Sequence, residues 1–324
     1  MNYPLRSLVP LAALTLFLLP ALSPAQVGPG LWIVPFGENE KVQAEGEATF
    51  FFGGDSNGPG SPDATLFIGT FEARVRFAEA TEHPVHLGTD LIFINIDSAD
   101  PALPNQLVNV QFAAATQIAK WDDWAIAIIG GIGTASNEPF SDGDSWYGRG
   151  DILATWQLDE RSFLQFGLNC HGNRSLLPDI PLPMVSYTRQ SSETLRYTIG
   201  LPVSAISWEP ADRWLIELVY VIPFSIDATV SYEVIESLTL FISFKEIYEP
   251  FHLEGDLNTR RLFFQQSRIE GGARWKPMEN LEIILAIGWA FGTEISRGFD
   301  ARNTTTIREL SDEPYIRAGL VFRY

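Results

Sequence analysis

The chain has 324 residues, a formal net charge of −18 and a single cysteine, Cys170. That cysteine count excludes an intrachain disulfide, and an acidic chain without a basic face is not a nucleic-acid binder. Some 300 residues of exported chain are either two soluble domains or one large barrel.

Residues 1–25 read as a secretory signal peptide. Arg6 precedes an apolar run, Leu8–Leu22, broken by Pro10 and Pro20, and Ser23-Pro24-Ala25 offers small residues for cleavage. The run is too short and too broken for a spanning helix, and no later stretch is long and apolar enough, which excludes a helical membrane protein. No cysteine follows the cleavage position, so a lipoprotein anchor is not expected. Residues 26–44 are expected to be a short periplasmic segment, too short for a plug, and residues 45–324 a β-barrel. An exported chain without disulfides needs a large hydrogen-bonded framework, and a closed barrel supplies one.

From there the chain runs in alternating segments of strand period. Phe67, Gly69, Phe71, Ala73, Val75 and Phe77 oppose Thr70, Glu72, Arg74 and Arg76. Leu87, Leu91 and Phe93 oppose His86, Gly88 and Asp90; Ile152, Ala154 and Trp156 oppose Tyr147, Arg149 and Asp151. Ile269, Gly271, Ala273 and Trp275 oppose Arg268, Glu270 and Arg274, and the segment 281–291 alternates in the same way. The chain closes on Ile316, Ala318, Leu320, Phe322 and Tyr324 against Arg317, Gly319 and Arg323, with an aromatic as its last residue. A terminal aromatic strand of this kind resembles the closing strand of an outer-membrane barrel.

Connections alternate short and long. Short ones are expected near 120–123, 157–162, 209–213, 235–237 and 276–280; long ones, rich in Gly, Pro, Asn, Asp and Ser, near 53–64, 97–106, 134–145, 171–193, 246–261 and 292–313. Outer-membrane barrels have short periplasmic turns and long outer loops, and an even strand number. The expected fold is all-β: a single antiparallel transmembrane barrel of about fourteen strands. The count drops to twelve if the hairpin 214–234, turning at Ile222-Pro223-Phe224-Ser225, does not form. Trp121, Trp124, Trp156, Trp208, Trp214 and Trp275 fall beside the short turns, as an interfacial aromatic girdle requires.

The stretch from Asn169 through Leu182-Pro183, Leu201-Pro202-Val203, Trp208-Glu209-Pro210 and Arg213-Trp214, with Gly271-Gly272-Ala273-Arg274-Trp275 before Pro277 and the final Arg-Ala-Gly-Leu strand, resembles an uncharacterised family of bacterial outer-membrane β-barrel domains. The resemblance covers about the second half of the chain. It implies the fold and the location, and no activity.

The inward face is expected to carry Glu72, Arg74, Arg76, Asp90, Arg149, Asp151, Arg196, Glu217, Arg268, Glu270, Arg274, Arg317 and Arg323. Two readings stand: a constriction that selects solutes by charge, or a salt-bridge network filling the lumen. Ala125, Ala127 and Ile129, inward on a strand that is also apolar outward, point to a dry patch suited to apolar solutes. An enzyme reading centres on Asn169-Cys170-His171-Gly172-Asn173-Arg174-Ser175. A lipase-like site puts a serine two residues after the histidine; here Asn173 stands there, and Cys170 faces outward. His83, His86 and His252 have no metal-ligand spacing, and Asp142, Asp144, Asp300, Asp312 and Glu313 lack the order of a calcium loop. Asn303-Thr304-Thr305 is a sequon by pattern only. The expected protein is a non-enzymatic outer-membrane pore or structural component, alternatively an uptake channel for apolar molecules or a lipid-modifying outer-membrane enzyme, with no metal or cofactor. Its expected partners are outer-membrane lipids and, through the C-terminal strand, the barrel-assembly machinery.

Overall fold

The computed structural model describes residues 30–33, 40–53, 63–77, 84–141, 143–222, 225–255 and 260–324. The proposed signal peptide, His83, Asp142 and the residues 223–224 lie outside them. One helical turn, α1 (Gly30–Ile33), precedes β1 (Val42–Phe51), β2 (Ala64–Phe77), β3 (Val85–Ser98), β4 (Gln106–Trp121), β5 (Trp124–Ser136) and β6 (Trp146–Asp159). Then follow β7 (Ser162–His171), β8 (Leu182–Ser192), β9 (Leu195–Leu201), β10 (Val203–Trp208), β11 (Trp214–Val221) and β12 (Ser225–Ile235). The chain ends with β13 (Leu238–Phe251), β14 (Arg261–Met278), β15 (Leu281–Gly298), β16 (Thr304–Glu309) and β17 (Glu313–Arg323).

Each strand from β2 to β16 pairs antiparallel with its predecessor, and the ring closes where β17 pairs with both β15 and β1. Strand β16 pairs only with the far end of β15 and stands outside the ring. Closure leaves no unpaired edge, the condition for a sheet in hydrocarbon.

The ring therefore has two strands more than expected, and both arise in one place. The segment 171–193, expected as a loop, contains β8, and the strand expected after it is the hairpin β9–β10 turning at Pro202. The hairpin 214–234 forms as β11–β12. Strand β13 runs to Phe251, into the expected loop 246–261, and β1 starts at Val42 rather than near 45.

Alternation sorts the side chains as the period requires. Leu285, Ile287, Ile269 and Leu320 are exposed, whereas Arg268 and Glu270 are buried. The inward residues make two layers. Near the short-turn end lies a charged layer. Toward the long loops, Phe51, Ile68, Ile94, Leu107, Phe264, Ile295 and Tyr315 form a single apolar cluster filling the lumen between β1–β5 and β13–β17. Gly288 leaves room for the Tyr315 ring: a Cβ there would come within 2.6 Å of Tyr315 Oη and of the Ile269 carbonyl. Gly288→Ala is expected to cost about 1–3 kcal/mol, read as a lower urea midpoint of unfolding in lipid. An unchanged midpoint would show slack around the ring.

The long-loop end of β13 leaves the wall. His252 N–H donates to the Ala135 carbonyl (2.9 Å), Asn137 N–H to the His252 carbonyl (3.3 Å), and Ser136 and His252 form a parallel bridge. Strands β5 and β13 are far apart around the ring, so β13 crosses the mouth and partitions it. Ile247 and Phe251 sit in the apolar cluster on one side, while Tyr248, Glu249 and Pro250 line a cavity on the other.

Gly30 and Leu31, in the segment expected to be periplasmic, are buried against the inner wall of the barrel. Leu31 is fully buried among Ala113, Ala115, Ile129 and Leu153, and its carbonyl lies 3.0 Å from His86 Nδ1. This fills the apolar patch expected around Ala127 and Ile129.

Candidate functional site

The charged side chains expected inward separate into three groups. The largest lies on β14, β15, β17 and β1. Arg317 is clamped between Glu47 and Glu270, its Nε 3.0 Å from Glu270 Oε2, and Tyr315 Oη and Ser243 Oγ each donate to Glu270 at 3.0 Å. Glu282 gathers Arg274 (3.9 Å), Lys276 (3.8 Å) and Arg323 (3.8 Å). Arg268 donates to Gln266 Oε1 (2.7 Å) and lies over the rings of Phe51 and Tyr315. The same layer continues onto β2, where Arg74 Nε donates to Gln43 (2.7 Å), Arg76 to the Glu40 carbonyl (3.0 Å), and Glu72 stands between Glu45 and Asp90 in register.

A second group lies on β4, β6 and β7: Arg149 pairs with Asp151 (3.1 Å), Asn169 donates to Asp151, and Gln111 donates to Asp90 (3.3 Å). Arg196, on β9, stands apart from both. Glu45, Glu47, Asp227, Lys245 and Glu249 also point inward and were not anticipated. The alternation Gln43, Glu45, Glu47, Thr49 against Ala44, Gly46, Ala48, Phe50 was available to find the first two.

On the far side of the β13 partition, β6–β12 enclose a cavity of about 620 Å³ together with the end of β13 and inward residues of β3 and β4. Its walls include inward Leu153, Met184, Ala205 and Val219, and also Phe166, Val185 and Leu201, whose parity is outward. Residues of both parities line it because the wall there is low. Strands β9 and β10 have 7 and 6 residues against 18 in β14 and β15. Six residues rise about 20 Å, or about 14 Å at a 45° tilt, short of the roughly 25 Å apolar band of a membrane barrel. Trp208 and Trp214 anchor the short-turn end of these strands, so the missing height is at the other end.

The described residues at the tips of the two short hairpins are apolar. Leu201, Val203 and Ile222 are exposed there. Among the described residues, backbone groups there are satisfied internally: Ile222 N–H donates to the Pro202 carbonyl (2.9 Å), and Ser204 Oγ accepts from Gly200 N–H (3.1 Å) and donates to the Gly200 carbonyl (3.2 Å). Internal satisfaction is what backbone at membrane depth demands, and it makes polar turn residues unnecessary.

His171 faces inward against the Tyr147 ring (5.1 Å), and its Nδ1 accepts from Asn173 N–H (3.1 Å); among the described residues no hydroxyl or thiol hydrogen-bonds to it. Cys170 Sγ contacts the Asp179 carbonyl at 3.7 Å. Acids beyond the strands tie loops together. The Arg308 guanidinium holds the Asp100 carboxyl below the usual range, and Arg302, at 2.6 Å, does the same for Asp300, which also accepts from Leu177 N–H. Asp312 accepts from Gly292 N–H (3.3 Å). Among the described residues no cluster of His, Cys, Asp and Glu has the arrangement of a metal site.

The six tryptophans beside the short turns all line one end of the barrel's exterior. Trp121, Trp124 and Trp156 stack in a row, with centroids 6.5 and 5.4 Å apart, and Trp214 packs on Tyr232 at 5.0 Å. Trp146 and Trp289 are exposed toward the other end.

No protein-family model and no curated protein matches the sequence. Solved structures with a similar chain path include an outer-membrane channel of Pseudomonas putida, at 9% identity, TM-score 0.39 and coverage of 90% of this chain and 96% of that one. The toluene transporter TodX of Pseudomonas putida aligns at 9% identity and TM-score 0.37, covering 87% and 89%. A FadL homologue of Pseudomonas aeruginosa aligns at 13% identity and TM-score 0.35, covering 89% and 90%. The likeness extends to the barrel fold and no further, and the resemblance seen in the second half of the sequence stands at that same level.

Proposed function

We propose that the protein is a non-enzymatic channel of the bacterial outer membrane that passes small apolar molecules through the β6–β12 cavity and exchanges them sideways with the bilayer. The chain fits a barrel of the family its second-half motifs resemble, exported by residues 1–25 and assembled through its C-terminal strand. The observation that carries the reading is the low wall at β9–β12, where an apolar cavity meets apolar hairpin tips at membrane depth. A water-filled pore has no use for such a gap. It also conflicts with the lumen contents, since the apolar cluster, Leu31 and the paired charges occupy most of the axial path.

The test uses cells whose outer membrane carries the full chain and an apolar fluorescent probe, N-phenylnaphthylamine. Cells with the protein are expected to accumulate the probe faster than cells without it. Ala205→Trp, which places an indole in the cavity between Thr198 and Val219, is expected to remove most of that gain. A gain untouched by Ala205→Trp would eliminate the cavity route, and large steady ion currents in planar bilayers without probe uptake would mark an aqueous pore instead.

A further inference from the structure

Arg196 is the exception among the lumen arginines. Arg74, Arg76, Arg149, Arg268, Arg274, Arg317 and Arg323 each have a carboxylate, amide or carbonyl partner. Arg196 is half-buried, lines the cavity and has no partner among the described residues. Its neighbours across the sheet are Gln190, already donating to the Ser192 carbonyl (2.7 Å), and Ser207. The next strand brings Glu217 opposite Ser207, yet the two side chains form no ion pair, and Glu217 Oε2 is itself without a hydrogen bond. On the opposite wall the charges of Arg149, Asp151 and Asp90 are engaged with one another or with amides, while Glu249 lies high on β13.

The cavity is graded in polarity above Arg196. Beside it lies the hydroxyl pair Thr188–Thr198 (2.8 Å). Beyond come Met184, Ala205 and Val219, then the apolar tip at Leu201 and Val203. From Arg196 to Pro202 the strand rises about 20 Å. A guanidinium without a counter-ion in an apolar-walled cavity gains most from a ligand that supplies an anion, through two parallel charge-assisted hydrogen bonds. Between it and the low wall, Met184, Ala205 and Val219 form an apolar strip beside the mutually bonded Ser186 and Gln165 (3.3 Å), and that strip suits a chain.

We propose that the cavity takes an amphiphile with one apolar chain and one anionic head group, the head held by Arg196 and the chain running toward the low wall at Leu201–Val203. This rests on the cavity being the path proposed above. The anion is a carboxylate or a phosphate monoester; both fit the guanidinium, and the experiment separates them.

Dodecanoate, dodecyl phosphate and dodecanol are titrated into the full chain in nanodiscs, with empty nanodiscs as baseline. At least one anion is expected to bind the wild type about tenfold or more tighter than the alcohol. Arg196→Gln should collapse that preference and Arg196→Lys should keep part of it, with both variants checked for native barrel migration on unheated gels. A stronger effect for dodecanoate identifies a carboxylate ligand, and a stronger effect for dodecyl phosphate a lipid-like one. Equal binding of anions and alcohol to the wild type, or a preference that survives in Arg196→Gln, overturns the head-group assignment while leaving the channel in place. Binding of none of the three above the baseline overturns both.

Discussion

Replacing Arg317 by methionine is expected to cost about 3–5 kcal/mol of barrel stability, because it strands two carboxylates in the lumen. Glu47 and Glu270 both pair with Arg317, and the three side chains are 17%, 8% and 11% exposed respectively. Glu270 would keep Tyr315 and Ser243 as neutral donors, whereas Glu47 would lose its ion-pair partner. The cost comes from leaving charge uncompensated, and not from the favourable energy of the ion pairs, since such pairs barely outweigh their desolvation. Arg317→Met combined with Glu47→Gln and Glu270→Gln should therefore regain most of the loss. Urea unfolding in lipid reads both effects, and a triple variant no more stable than Arg317→Met would mean that the layer is open enough to water for the charges to be solvated.

This network was half legible in the sequence. Arg268, Glu270, Arg274, Arg317 and Arg323 alternate with large apolar residues on long strands, and a period of two with strong contrast fixes the face. Glu47 lacks that contrast, because the outward positions beside it, Ala44, Gly46 and Ala48, are too small to mark a lipid face. The region around the cavity was hidden for a different physical reason. Turns are recognised by polar residues and glycine because water and positive φ favour them. The β9–β10 turn, Leu201-Pro202-Val203, has neither: its tip is apolar and its backbone is satisfied by Ser204 and Ile222. Nothing polar therefore marks it as a hairpin tip. Strand β8 was lost to its neighbours Pro181 and Pro183, although a proline at the second residue of a strand is compatible with pairing. At the end of β13 the apolar residues Ile247, Tyr248, Pro250 and Phe251 fall at both parities, with Glu249 among them, because β13 there separates the apolar cluster from the cavity. Alternation vanishes when both faces are buried, so nothing local announced the partition. The site is thus hardest to read where the barrel departs from its own periodicity.

Leu285→Arg is expected to destabilise the barrel by about 2–4 kcal/mol, and Phe322→Arg by no more than about 1 kcal/mol, although both side chains face outward. Depth decides the difference. Leu285 and Ile287 are among the most exposed apolar residues, at 60% and 71%, and they lie between two aromatic levels on the same sheet. Trp275 stands opposite Ile283 on one side, and Trp289 follows on the other. Phe322 pairs with Leu281 and Ala44, at the edge beside the short turn, where a guanidinium reaches interfacial water by extending along the wall. Arg323→Gln, on the inner face, serves as the reference, because Arg274 and Lys276 remain on Glu282 when it is gone. The three variants are compared by urea titration in lipid and by accumulation in the outer membrane. Equal loss at Leu285 and Phe322 would place both at the same depth and would break the register of β15 against β17 on which the membrane level is set. Equal tolerance of Leu285→Arg and Arg323→Gln would mean that the exposed apolar belt does not face lipid. The low wall at β9–β12 would then open onto water, and the sideways path would have no membrane to open into.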